Sequence, residues 1–167
     1  PTGATAVVLT KSGAGVLLLG NNATGGGANS FGGSGSIIDI TDGLLQVGSV
    51  AALGDSANII RISANNQSKG LRIDGTFNLP NTIHLNAASS GIDVTGSNTL
   101  TLGTAFTFAT ATHGLAKNDL GTLVLTQAQT GWDGVFNINQ GVVRLNNGAA
   151  LGSTTGGLAI NALGAAI

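Results

Sequence analysis

Cysteine, methionine, tyrosine and glutamate are all missing from the 167-residue sequence. Without cysteine, the chain has neither a disulfide framework nor the thiolate ligands of a zinc finger. Charged residues are scarce as well, at 8 % with a formal net charge of −1. No basic patch is therefore available to bind nucleic acid or an anionic lipid surface. No apolar run approaches the roughly 20 residues that a membrane-spanning helix needs, so this segment is not expected to insert into a membrane.

Aromatic residues and proline are nearly absent, whereas glycine is abundant. The sequence has 4 % aromatic residues, two prolines and 28 glycines, without the strict triplet period of collagen. Apolar residues still make up 42 % of the chain, so the core must consist of Leu, Ile, Val and Ala. All seven acidic residues are aspartate, which favours turns over helices. These features predict a single all-β domain over residues 1–167.

Short apolar segments with a period of two recur along the whole chain. Ile60 and Ile62 form one alternating pair, and Leu100 and Leu102 form another. Each segment is bounded by Gly, Asn, Asp or Ser and predicts a short strand with one apolar face. No convincing stretch has the 3.6-residue period of a helix.

The sequence also contains an internal repeat. Residues 9–25 match residues 115–131 at an offset of 106, and residues 37–54 match residues 135–152 at an offset of 98. The offset changes because GGGANSFGGSG stands in the first copy where the second has only WDG. Such a length difference in a Gly-rich stretch is typical of a surface-loop insertion. The chain thus holds about one and a half copies of a unit of about 100 residues, with matching segments at 9–54 and 115–152.

Repeats built from short strands favour a solenoid over other all-β folds. An antiparallel sandwich would also use many short strands, but two-residue hairpin signals and aromatic residues are scarce here. In a parallel β-helix, or β-solenoid, aliphatic side chains form interior ladders and Gly takes corners with positive φ. At roughly 20–25 residues per coil, the chain predicts about seven to eight coils. Asn21-Asn22, Asn65-Asn66 and Asn146-Asn147 are candidates for stacked Asn ladders in such a rod.

The first copy resembles the autotransporter-associated β-strand repeat, also called the passenger-associated transport repeat. The shared pattern is L-T-K-x-G-x-G-x-L-x-L in residues 9–19, T-G at Thr24-Gly25, G-x-L-x-V in residues 43–47, and A-L-G in residues 52–54. The second copy departs from it where Asn118-Asp119-Leu120 replaces Ser-Gly-Ala and where Trp132 follows Thr130-Gly131. The resemblance covers roughly residues 7–160 and carries no specific activity.

This resemblance implies a right-handed parallel β-helix in a type V secretion passenger. Such a passenger is extracellular or lies on the outer surface of a Gram-negative-type bacterium. The resemblance and the register in which the sequence stops, in mid-unit, lead us to expect a segment of a longer array or of an end-to-end stack. The expected partners are therefore further copies or continuing repeats, together with a host or surface glycan or protein.

Candidate catalytic and metal sites are weak in this sequence. The stretch from Phe31 to Ile37 begins like a calcium-binding nonapeptide, but Ile37 stands where the aspartate ligand belongs. Asp74 and Asp93 could stack on neighbouring coils with Arg72 between them, which more often forms a solvated ladder than a catalytic centre. His84 is expected on the outer face of a strand, and two isolated histidines make a poor metal site. No catalytic residue, metal ligand or cofactor is expected.

Two aromatic residues remain as candidate interaction residues. Trp132 lies in a predicted loop between Gly131 and Asp133, and Phe31 lies in the Gly-rich insertion. An exposed Trp can stack on a sugar ring or anchor an interface, although it more often covers the edge of a core. We therefore expect a non-enzymatic structural β-solenoid acting as a stalk, an adhesin passenger or a self-stacking filament subunit. The alternative is a β-helix protein that binds or cleaves carbohydrate.

Overall fold

The computed structural model describes residues 6–20, 28–153 and 155–161. Within them nearly all regular structure is β, together with one short 3₁₀ helix at Val50–Leu53. The strands in chain order are β1 (Val7–Lys11), β2 (Val16–Leu19), β3 (Ile37–Ile40), β4 (Leu44–Val47), β5 (Ile59–Ile62), β6 (Gly70–Ile73), β7 (Phe77–Leu79), β8 (Ile83–Leu85), β9 (Ser89–Val94), β10 (Thr99–Leu102), β11 (Thr107–Phe108), β12 (Gly114–Asn118), β13 (Thr122–Leu125), β14 (Phe136–Ile138), β15 (Val142–Leu145) and β16 (Leu158–Ile160).

These strands stack into three parallel sheets that form the sides of a β-solenoid. The five-stranded sheet has the order β1-β3-β5-β8-β11, and the four-stranded sheet has the order β15-β13-β10-β7. The seven-stranded sheet has the order β16-β14-β12-β9-β6-β4-β2. Because the chain visits the sheets in turn, each strand pairs with the strand one coil away, which confirms the predicted all-β parallel solenoid.

The sheets contain five, four and seven strands, which together amount to about five full turns, fewer than the seven to eight coils predicted. The seven-stranded sheet extends beyond the other two because, among the described residues, the coils near the two ends have no strand on one of their sides. Coil length also varies. Thr122 pairs with Val142, 20 residues away, whereas Val7 pairs with Ile37, 30 residues away.

The core is a set of aliphatic columns that run along the rod. Ile60 lies in register between Ile38 and Ile83, and all three side chains are buried. Between such inward residues, the side chains of alternate positions point outward, as Arg61 does in β5. The period-two pattern of the sequence therefore produces one apolar interior, in which each buried aliphatic side chain contributes about 1.5–3 kcal/mol.

The two copies of the repeat do not occupy the same sides of the solenoid. In the first copy β1 and β3 belong to the five-stranded sheet, whereas their counterparts β12 and β14 belong to the seven-stranded sheet. Likewise β2 and β4 lie in the seven-stranded sheet, and their counterparts β13 and β15 lie in the four-stranded sheet. The second copy is thus displaced by four coils and one additional side.

Candidate functional site

Trp132, one of the two candidate interaction residues, lies in the core. Its side chain is 0 % exposed, and its ring makes edge-to-face contacts with Phe106 and Phe136, with centroid distances of 5.8 and 6.1 Å. The indole Nε1 donates a hydrogen bond of 2.7 Å to the carbonyl oxygen of His113, which satisfies its only polar group. The structure thus gives Trp132 a packing role, and its contact with a ligand stays a prediction.

Phe31, the other candidate, is half-buried and packs against the same core. Its backbone carbonyl accepts a hydrogen bond of 3.1 Å from the N–H of Asp55, just as the Trp132 carbonyl accepts one of 2.9 Å from Ser153. Phe31 and Trp132 therefore hold equivalent positions in the two copies. The sequence alignment did not reveal this, because the pair lies where the offset between the copies changes. An interaction role for Phe31 likewise stays a prediction.

The most distinctive polar feature of the repeat is a lysine that points into the solenoid at a corner. The Nζ of Lys11 donates hydrogen bonds to the carbonyl oxygens of Ser12, Gly13 and Asp42, at 2.8, 2.5 and 2.9 Å. An ammonium group has three N–H donors, so the three carbonyls satisfy it completely. We call this arrangement the first lysine cage.

A second lysine cage occurs in the second copy. The Nζ of Lys117 donates to the carbonyl oxygens of Asn118, Asp119 and Gln140, at 2.6, 2.6 and 3.3 Å. Lys117 is fully buried, and this burial lowers its pKa to about 8 although Asp119 and Asp93 favour the charged form. The repeated lysine is therefore a structural residue that ties each corner to the next coil.

A glycine completes each cage. Gly43 and Gly141 both have positive φ, at 66° and 72°. A Cβ atom at Gly43 would lie 2.3 Å from the carbonyl oxygen of Gly15, and one at Gly141 would lie 2.4 Å from that of Gly121. No side chain fits in that space, so the Lys and Gly positions shared by the copies are explained by the corner alone.

Charged groups on the outside of the five-stranded sheet are paired with one another. Asp39 accepts hydrogen bonds of 2.7 Å from both Arg61 and Ser63. Burial opposes the ionisation of Asp39, but these hydrogen bonds and the Arg61 charge outweigh it and lower the pKa.

His84 lies on the outer face as predicted, between Arg61 and Thr107, and its Nδ1 is 2.9 Å from the Thr107 hydroxyl. Burial, followed by the charges of Arg61 and His113, lowers the pKa of His84.

The predicted cluster around Arg72 forms only in part. The guanidinium lies 3.8 Å from Asp93 and 3.6 Å from Asp119, whereas Asp74 instead accepts hydrogen bonds from Gln46 and Thr95. Burial raises the pKa of Asp93, although hydrogen bonding from Asn118 and the charge of Arg72 oppose this rise. A pair of carboxylates that share one guanidinium forms an ion-pair network, which does not by itself provide a general acid and base.

A ladder of amides runs along the C-terminal ends of the strands in the seven-stranded sheet. Asn118 donates to Asp93 at 2.9 Å, Asn139 donates to Asn118 at 2.8 Å, and Asn161 donates to Asn139 at 2.8 Å. This ladder differs from the predicted ones. Asn65 accepts a hydrogen bond from a backbone N–H of the next coil and Asn147 accepts one within its own turn, whereas Asn21-Asn22 lie outside the described residues. The amide ladder therefore holds successive coils in register.

The described residues include neither a cluster of three or more potential metal-ligating side chains nor a helix long and apolar enough to cross a membrane. A shallow cavity of about 350 Å³ is lined by residues 10–17, at the corner between β1 and β2. None of the Arg72 cluster contributes to it. Lys11 is the one titratable residue that lines this cavity, and its ammonium group is already hydrogen-bonded to three backbone carbonyls. The cavity therefore lacks the second titratable group that an ordinary acid–base site requires.

Apolar side chains are exposed at both ends of the described rod. Leu158 and Ile160 of β16 continue the buried columns of Phe136 and Ile138, yet they are 42 % and 49 % exposed. At the opposite end, Leu17 and Leu19 of β2 lie in register with the buried Leu45 and Val47 but are only partly buried, and the outward-facing Val16 and Leu18 are about half exposed. Among the described residues, β2 and β16 each pair with a strand on one side only, and such sheet edges pair readily with another strand.

The comparisons with known proteins give one similarity. The chain is 29 % identical over 164 residues to the "Adhesin BmaC autotransporter" of Brucella suis biovar 1 (strain 1330). The alignment covers 94 % of this chain, and the chain spans 4 % of the length of that relative. No protein-family model and no solved structure matches the chain. The similarity agrees with an autotransporter adhesin passenger, while membership of the particular repeat family stays a prediction.

Proposed function

We propose that this chain is a non-enzymatic segment of the rod of an autotransporter-type adhesin. The observation that carries the proposal is the parallel solenoid itself, which spans the part of the chain that resembles an adhesin. With about 4.8 Å between stacked strands, the seven-stranded sheet makes a rod of roughly 30 Å. The proposed location is the outer surface of a Gram-negative-type bacterium, where such a rod would hold adhesive regions away from the cell.

The ends of the rod support a place within a longer stack of coils. Leu158 and Ile160 are the next members of interior columns, and a further coil would bury them as Phe136 and Ile138 are buried. The exposed ends differ from each other, so the contact between two copies would be head-to-tail and would not close. We propose that continuing coils cover both ends in the longer protein, and that isolated copies stack end to end at high concentration.

The pairing of charges supports a structural role over catalysis. Asp39, Asp93 and Asp119 are each held by an arginine, and both buried lysines are held by backbone carbonyls. A general base needs a lone pair directed at a substrate, whereas these three carboxylates face arginine side chains. Their arrangement stabilises stacked coils.

Electron microscopy of the purified chain over a concentration series tests this proposal. We expect short rods at low concentration and longer end-to-end rods at high concentration. The Ile160→Lys variant should remain as short rods because a charge would have to enter the shared interior. Discrete rods at every concentration would refute the self-stacking. The proposal that further coils of a longer protein cover the ends would then stand alone.

An assay for carbohydrate cleavage tests the enzymatic alternative. The chain is incubated with a panel of neutral and acidic polysaccharides, and newly formed reducing ends are measured. We expect no release above that of the buffer. Release that is lost in the Arg72→Ala variant, at unchanged thermal stability, would instead establish a carbohydrate-cleaving solenoid and overturn the proposal.

A further inference from the structure

The corner that carries the lysine cage is covered in one copy of the repeat and uncovered in the other. We call residues 10–17 the first corner and residues 116–123 the second corner, and the two match at the offset of 106. The second corner lies against the turn at residues 94–98, which connects β9 with β10 in the preceding coil. We call this turn the covering turn. Among the described residues no coil precedes the first corner, since β1 and β2 are the end strands of their sheets.

Two backbone hydrogen bonds hold the covering turn on the second corner. The Gly121 N–H donates to the carbonyl oxygen of Val94 at 2.8 Å, and the Thr122 N–H donates to that of Asn98 at 2.9 Å. The turn is closed by a hydrogen bond of its own, 3.1 Å long, from the Asn98 N–H to the Thr95 carbonyl. It therefore contacts the second corner as a closed unit with two carbonyl oxygens directed at the corner.

The first corner has the same two N–H groups without such a turn. Gly15 and Val16 correspond to Gly121 and Thr122, and both are exposed, whereas Gly121 is buried. A Cβ atom at Gly121 would lie 2.7 Å from two carbonyl oxygens of the covering turn, whereas one at Gly15 would have no described atom within 4 Å. The shallow cavity of about 350 Å³ along the first corner is thus the space that the covering turn fills in the second copy.

The strand that follows each corner shows the same difference in burial. Leu123 and Leu125 are fully buried in β13, which lies between β10 and β15. Their counterparts Leu17 and Leu19 belong to β2, which pairs with β4 alone, and they are only partly buried. A coil placed before the first corner would therefore bury apolar surface and also supply acceptors for two backbone N–H groups.

We propose that the first corner binds a strand–turn–strand segment from the preceding coil of the longer protein. The second corner specifies this partner: two parallel strands joined by a closed turn, whose carbonyl oxygens accept from the N–H groups of Gly15 and Val16. Residue 15 must be glycine for this contact, because a Cβ atom would meet those oxygens. The source of the segment rests on the proposed function, whereas its chemistry rests on the comparison of the two corners.

A peptide with the sequence of residues 89–102 tests the binding in the intact chain. At a protein concentration that gives short rods, we expect it to slow amide hydrogen exchange at Val16 by at least about tenfold, as measured by NMR. Gly15→Ala should abolish this slowing, yet its own melting temperature should change by less than about 2 °C. Gly148→Ala, another glycine with open space around it, should retain the slowing. Equal slowing in Gly15→Ala, or by a peptide of scrambled sequence, would refute the proposal.

A covalent extension tests the same contact without the entropic cost of ordering a free peptide. Residues 89–112 replace residues 1–6, so that the added coil joins Val7, the counterpart of His113. We expect the melting temperature to rise by at least about 4 °C, and Gly15→Ala should remove most of this rise in the extended chain only. No rise, or an equal effect of Gly15→Ala in the two chains, would overturn the proposal. The rod lengths measured above report the association of copies instead, so end-to-end stacking beside a failed extension would leave the proposed function standing.

Discussion

At the scale of single residues, the buried lysines are the least expected feature of the molecule. A lysine between apolar residues in a strand pattern suggests a solvated side chain, yet Lys117 is 0 % exposed and lies in register with Ile92 and Ile138 of the core. Burial of a charge is costly unless hydrogen bonds compensate for it. The three carbonyls of the cage provide that compensation, so the lysine and the corner depend on each other.

Replacement of this lysine should therefore destabilise the fold. We expect Lys117→Met to lower the free energy of unfolding by about 2–4 kcal/mol, because a methionine of similar length leaves three buried carbonyls without a donor. The control is Lys69→Met, which removes a partly exposed ion pair with Asp42 and should cost less than about 1 kcal/mol. Urea denaturation of both variants measures the difference. Equal losses would show that the cage contributes nothing beyond a surface charge.

The depressed pKa of Lys117 predicts a specific pH dependence. The folded chain releases this proton near pH 8, whereas the unfolded chain keeps it up to the ordinary lysine value of 10.5. In that window the unfolded state binds more protons, so raising the pH favours the folded state. We expect the free energy of unfolding of the wild type to increase from pH 8 to pH 10 relative to Lys117→Met. The chain has no tyrosine or cysteine to titrate there. Parallel pH profiles of the two proteins would contradict the pKa shift.

At the scale of the structural element, the corner between two strands depends on its glycine. Gly141→Ala should destabilise the protein by more than about 2 kcal/mol, because φ is positive and the new Cβ would meet the backbone of Asp119 and Gly121. Gly148→Ala, in a turn with no atom within 4 Å of the added Cβ, should change stability by less than about 0.5 kcal/mol. Thermal unfolding of the pair provides the measurement. A mild effect at Gly141 would mean that the corner can open.

The elements could be predicted from the sequence to different degrees. Strands such as β5 and β10 were predictable because alternation of aliphatic and polar residues requires one buried face. The inward direction of the Lys11 side chain was not predictable, because its hydrogen-bond partners are backbone carbonyls, which every sequence possesses. The equivalence of Phe31 and Trp132 was hidden for another reason. This equivalence depends on how many loop residues precede and follow the aromatic residue in each copy, and that number is determined by packing.

At the scale of the whole molecule, stability should decrease from the middle of the rod to its ends. Each coil contacts only its neighbours, so a central strand such as β8 is held from both sides, whereas β2 and β16 are held from one. We therefore expect amide hydrogen exchange to be slowest in the central strands β5, β6, β8, β9 and β10 and fastest in β2 and β16. The internal repeat does not predict this order of exchange rates, because strands that match in sequence lie at different distances from the ends of the rod.

The same exchange experiment, repeated over a range of concentrations, distinguishes stacking from isolated rods. If copies join end to end, β2 and β16 gain a neighbour, and their amides should become at least about tenfold slower at high concentration while those of β8 stay unchanged. The Ile160→Lys variant serves as the control, because a charge in the shared interior should abolish the concentration dependence without altering β8. Uniform slowing along the whole chain would indicate non-specific association. Protection of β2 and β16 that does not depend on concentration would show that the ends are already closed within one molecule, which would overturn the proposed continuation of the coil.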